Sequence, residues 1–98
     1  MPKLYEYLGI MIYFWSSEHE PIHVHGRHGG RTSKASIHMF NGIVSKIEFS
    51  AVGRGLERNK QMEFEAFVRL YASDIVEKWF RYFVKREHLT PIKVTKRI

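Results

Sequence analysis

The stretch Ile22-His23-Val24-His25-Gly26-Arg27-His28-Gly29-Gly30-Arg31-Thr32-Ser33-Lys34-Ala35-Ser36-Ile37 decides the architecture of this chain. Glycine reaches positive φ at little cost, so Gly29-Gly30 predicts a two-residue hairpin turn. The turn sets a register: His28 opposite Arg31, Arg27 opposite Thr32, His25 opposite Lys34, Val24 opposite Ala35, His23 opposite Ser36, and Ile22 opposite Ile37. Polar residues then meet polar ones and apolar residues meet apolar ones. A slip of one residue would set His23 against Ala35. Strand side chains alternate between faces, so His23, His25, Arg27, Lys34, Ser36 and His38 fall on one face, and Val24 and Ala35 on the other. The two central histidines therefore read as surface groups on a polar face.

Before this hairpin, Ile10, Ile12 and Phe14 alternate with Met11, Tyr13 and Trp15, a strand apolar on both sides and hence central in a sheet. Ser16 to Pro21 reads as a polar loop. Asn41-Gly42, the strongest short hairpin signal in the chain, joins a strand over 31–40 to one over 43–50, with Ile43, Ile47 and Phe49 on one face. Gly53 and Gly55 mark a loop over 51–58. Asn59 is placed to cap a helix running to about Tyr71, with Phe64, Phe67, Val68 and Tyr71 at helical spacing. Ser73 reads as the cap of a second helix, with Asp74 against its N-terminal dipole and Ile75, Val76, Trp79, Phe80, Phe83 and Val84 on its buried side. Residues 91–98 form an edge strand or a basic tail.

The expectation is a single α+β domain over residues 1–98, with a strand-rich half (1–50) and two helices (59–86). Its antiparallel sheet has four or five strands, and the two C-terminal helices pack on one face, against Ile22, Val24, Ala35, Ile37 and Ile47.

Composition narrows the function classes. Sixteen Lys and Arg against ten Asp and Glu give a net charge of +6, which draws a small domain toward RNA, DNA or an acidic protein. The absence of cysteine excludes disulfides, thiol nucleophiles and cysteine-ligated zinc. The apolar run Leu8 to Trp15 is too short to cross a bilayer, and no signal-peptide pattern is seen, so a cytoplasmic protein without membrane contact is expected.

The histidine row leaves three chemistries open. His19, His23, His25 and His38, with oxygen from Glu18 or Glu20, make a conceivable ligand set for a divalent transition metal. No HExxH or other metal spacing accompanies them, and the neighbouring cations work against a metal, so no metal or other cofactor is favoured. Alternatively, His23 or His25 acts as a general base, its charged form disfavoured by Lys34, with His19 a further candidate, Arg27 or Lys34 holding a phosphate and Tyr13 assisting. That is the equipment of a histidine-based or metal-dependent ribonuclease or phosphodiesterase. Third, Arg27, Lys34, Arg31 and His38 bind phosphate oxygens or a small acidic partner protein. This interaction reading leads. The chain shows no recognition helix, RNP-type aromatic set or phosphate loop, Gly53-x-Gly55 being too weak a signal for the last. Glu57, Glu63, Glu65 and Glu77 read as solvated helix surface rather than a catalytic pair.

The segment His19-Glu20-Pro21-Ile22-His23-Val24-His25, after a strand ending Tyr13-Phe14-Trp15, resembles the D/E-H-x-P-P-H-x-H-V segment of the small bacterial domain of unknown function 4160. The resemblance extends to Met1-Pro2-Lys3, the glycine-rich hairpin, the helical second half and Trp79. Here Ile22 stands where the family has a second proline, and Gly26 stands where many members carry a Cβ. The chain beyond Arg86 also exceeds the shorter members. The resemblance implies a small cytoplasmic bacterial protein, often encoded beside a member of domain of unknown function 2442, and hence half of a toxin–antitoxin-type pair. It singles out His19, His23 and His25 without assigning them a role.

Overall fold

The computed structural model describes residues 2–14 and 21–98. Six strands form one sheet: β1 (Lys3–Tyr7), β2 (Ile10–Phe14), β3 (Ile22–His28), β4 (Arg31–Phe40), β5 (Ile43–Val52) and β6 (Ile92–Val94). Their order is β5-β4-β3-β2-β1-β6, antiparallel except for the parallel pair β1–β6. One helix, α1 (Arg58–Trp79), lies across one face and runs into a π-helical turn over Phe80–Val84. The domain is thus α+β, with more strands and fewer helices than expected.

The β3–β4 hairpin has the register that Gly29-Gly30 dictates, from His28 opposite Arg31 to Ile22 opposite Ile37. Ile22, Val24, Ala35 and Ile37 are buried beneath α1 with Phe64, Phe67, Val68 and Ile75, and Ile47 packs at the margin. The additional strand β1 supplies Leu4, Tyr5 and Tyr7 to the same core. The turn Leu8-Gly9, with both residues at positive φ, joins it to β2. Strand β6 then pairs along the outer edge of β1.

In β5, the register with β4 shifts between His38 and Met39, where Ser45 is the extra residue. An extra residue reverses the facing of everything beyond it. Val44 therefore packs on the core, and Ile43 is 67% exposed instead of sharing a face with Ile47 and Phe49.

The expected break between two helices at Ser73 is absent. Ser73 and Asp74 are cap-formers in isolation, but here Asp74 has a tertiary role inside α1. It accepts a hydrogen bond from the Tyr5 hydroxyl and lies 3.5 Å from Lys78 Nζ. Burial, reinforced by Asp74, pushes the Tyr5 pKa up. The helix also begins one residue before Asn59, at Arg58, with the backbone of Glu57 accepting from the Gln61 N–H at 2.7 Å. In the π turn the Lys85 N–H bonds to the Phe80 carbonyl, five residues back. The wider turn rotates the side chains that follow it. Trp79, Tyr82 and Phe83 pack on the core while Phe80 and Val84 are exposed, so the expected Phe80 and Val84 contacts are not made.

Ser33, fully buried on the helix-facing side of β4, fixes the approach to α1. Its hydroxyl donates to Gln61 Oε1 at 2.6 Å and accepts the Leu56 N–H at 3.0 Å.

Candidate functional site

The face of the sheet opposite α1 carries no helix or further strand among the described residues. The pairings lay out its side chains as a grid. One row crosses β2, β3, β4 and β5 as Tyr13, His25, Lys34 and Ser50. A second runs Met11, Arg27, Thr32 and Val52. A third runs His23, Ser36 and Glu48, with His38 opposite Lys46 beyond it. The alternation of two on β3 and β4 thus sets His23, His25, Arg27, Lys34, Ser36 and His38 on one side, as the hairpin register requires.

His25 is the exception to a solvent-facing row, being only 5% exposed. It is wedged between strand neighbours, with the Tyr13 ring edge-on at 5.6 Å and Lys34 directly across β4. Burial, then the Lys34 charge, then His23, hold its pKa below the ordinary histidine value. His23 is also lowered, by burial first and then by Lys34 and His38. Both rings are therefore neutral at neutral pH, each with one nitrogen able to accept a proton.

His38 is separated from this pair by its own partner: its Nε2 lies 2.7 Å from Glu48 Oε1, and Lys46 stands 3.9 Å from the other carboxylate oxygen. Arg31 belongs elsewhere. Its Nε donates to the Gly55 carbonyl at 2.7 Å and its Nη1 lies 3.6 Å from Glu57, so it clamps the loop before α1 instead of joining the open face. His19, Glu18 and Glu20 lie outside the described residues. Among the described residues, no three His, Asp or Glu side chains are placed to hold a metal ion.

The charges of the face are unevenly matched. Glu6 lies 3.5 Å from Lys3 and 3.6 Å from Lys93, and Glu48 serves His38 and Lys46. Arg27 and Lys34 have no carboxylate partner among the described residues. They occupy diagonal positions on β3 and β4, which places their Cα atoms about 7–8 Å apart. Beside Arg27 a shallow cleft of about 450 Å³ opens between Lys3, Met11, Tyr13 and His28. Lys3 escaped the sequence reading because β1 was not foreseen, while Met11 was read only as part of the central strand. The run Leu4-Tyr5-Glu6-Tyr7 before the Leu8-Gly9 turn carries the strand signal that would have found β1.

With this geometry in view, comparison with known families is specific on one point. The family model described as "Domain of unknown function (DUF4160)" matches residues 9–80. The chain belongs to this family. The match takes in the histidine hairpin, β5 and nearly all of the helical segment, while β1 and β6 of this DUF4160 chain lie outside it. No curated protein and no solved structure matches the chain. No helix among the described residues is long and apolar enough to cross a membrane.

Proposed function

We propose that the open sheet face binds the phosphates of a nucleic-acid strand, with Arg27 and Lys34 as the anion contacts and Tyr13 and His23 as ring surface beside them. The supporting observation is the pair of cations that, among the described residues, have no carboxylate partner and stand on a sheet face no helix covers. Lys3, Lys46 and Lys93 on the same face each lie beside Glu6 or Glu48, whereas Arg27 and Lys34 have no carboxylate partner among the described residues. A chain with net charge +6 is drawn to such a polyanion from a distance. Anisotropy of a labelled single-stranded RNA and its DNA counterpart, measured from about 50 to 200 mM salt, tests this. Binding that weakens steeply with salt is expected. No binding at the lowest salt overturns it.

The toxin–antitoxin arrangement is a narrower reading of the same face. In it a small acidic partner protein competes with nucleic acid for Arg27 and Lys34, and such a protein binding where RNA does not would favour it.

A second reading, phosphodiester cleavage, rests on one observation: the half-buried His23 is the diagonal neighbour of Lys34 across the β3–β4 pair, and burial, then that cation, lower its pKa. A neutral imidazole accepts a proton, and a cation offsets the charge that develops on a phosphate. Burial of His25 makes His23 the base in this scheme. RNA cleavage that survives His23→Ala unchanged removes it.

A further inference from the structure

Strand β5 ends the sheet on the side away from β6. Ten residues long and free of proline, it leaves one row of backbone N–H and C=O groups without a strand partner. Edges of this length invite another strand, and charged residues normally discourage one. Here the charges do the reverse. Lys46 and Glu48 sit two apart on the open face, so an antiparallel copy of the same strand centred on Ile47 sets each Lys46 opposite a Glu48. Centring the pairing on Lys46 or on Glu48 would instead oppose like charges at the axis, which is destabilising.

The rest of the strand sorts correctly in this register. Ile47 meets Ile47 on the helix side. Carried past the extra residue Ser45, the pairing sets Val44 opposite Phe49 of the second copy, again on the helix side. It sets Ile43 opposite Ser50 of the second copy, with Val52 as diagonal neighbour on the open face. Ile43 and Val52 are among the exposed large apolar residues of the molecule.

We infer that two copies of this chain associate through β5, paired antiparallel about Ile47, into one continuous twelve-stranded sheet, twice the six strands of one copy. The arrangement is isologous and closes on itself, because both copies use the same strand. It also sets the two Arg27–Lys34 faces side by side on one surface, which goes beyond the nucleic-acid reading and does not depend on it.

Sedimentation equilibrium of the full chain from roughly 10 µM to 1 mM tests the inference, alongside Lys46→Glu and Glu48→Lys. The wild type is expected to dimerise. Each single variant places like charges opposite at two sites and should weaken the dimer about tenfold or more. An equimolar mixture of the two variants restores both opposite-charge pairs and should recover a heterodimer near wild-type strength. Circular dichroism of each variant alone confirms the fold. A wild type that stays monomeric at the highest concentration, a single variant that dimerises as well as the wild type, or two folded variants that do not combine would each overturn the proposal.

Discussion

Gly26 lies directly under the ring of Phe64: a Cβ built on the glycine would fall 2.5 Å from Cδ1 and 2.6 Å from Cε1. The helix therefore rests on β3 at the one position of that strand that has no side chain. Phe64 is fully buried and has no room to swing aside. Gly26→Ala should cost about 1–3 kcal/mol, the usual range for overpacking, seen as a lowered urea midpoint. The residue faces the helix, so nucleic-acid affinity of the folded fraction should not change. An unchanged midpoint would show that α1 does not sit on β3 in this way.

Ser33 is the polar counterpart of that contact. Its hydroxyl satisfies both the Leu56 N–H and the Gln61 amide oxygen in a dry interior. Ser33→Ala keeps the volume nearly constant but strands the buried N–H, at an expected cost of about 1–3 kcal/mol. Hydrogen exchange at the Leu56 amide should accelerate by more than exchange in the β2–β3 pairs.

The two lowered histidines give stability a defined pH dependence. The unfolded rings take up protons near pH ~6.5, while burial and Lys34 hold the folded rings below that value. Below about pH 6.5 the unfolded chain thus binds more protons, and stability falls as pH drops from there toward the folded values. Above about pH 7.5 His23 and His25 are neutral in both states and their contribution is flat. Melting temperatures followed from about pH 8 to 5.5 should decline at the acid end. The decline should flatten in His23→Gln/His25→Gln.

Arg27 and Lys34 act as independent phosphate contacts in the proposed function. Replacing either with Ala should reduce the slope of log affinity against log salt by about 0.7 for a single strand, and replacing both by about twice that. Arg31→Ala is the informative control. Its guanidinium is spent on Gly55 and Glu57, so it should lower stability with little change in slope. An equal loss of slope at Arg31 would mean that the binding surface lies elsewhere.

How much of this was legible before the coordinates differs by element. The β3–β4 register followed from two glycines and the polar sorting of six pairs, all local, and each pair is found. The shared facing of the histidine row followed with it. Burial of His25 did not, because it depends on what flanks the ring across the sheet, and a one-strand pattern is silent about that. Ser73-Asp74 reads as a helix start because both residues cap well, yet Tyr5, sixty-nine residues before Asp74, gives Asp74 a bond inside a continuous helix. Long-range partners overrode local propensity there. The bulge at Ser45 likewise escaped notice, since an extra strand residue leaves the composition unaltered and changes only the phase of Ile43 and Val44. Arg31 looked like part of the cationic face on charge alone, although its strand parity already placed it on the helix side.

The parallel pairing of β6 with β1 joins Tyr5 to Ile92, residues eighty-seven positions apart. Closing so long a span costs the chain entropy that no early contact returns, so this junction belongs among the last native pairings to assemble and the first to fray. A pair of fluorescent labels at Glu6 and Lys93, which face each other in the middle of that ladder, would therefore time the completion of folding, independently of the hairpin.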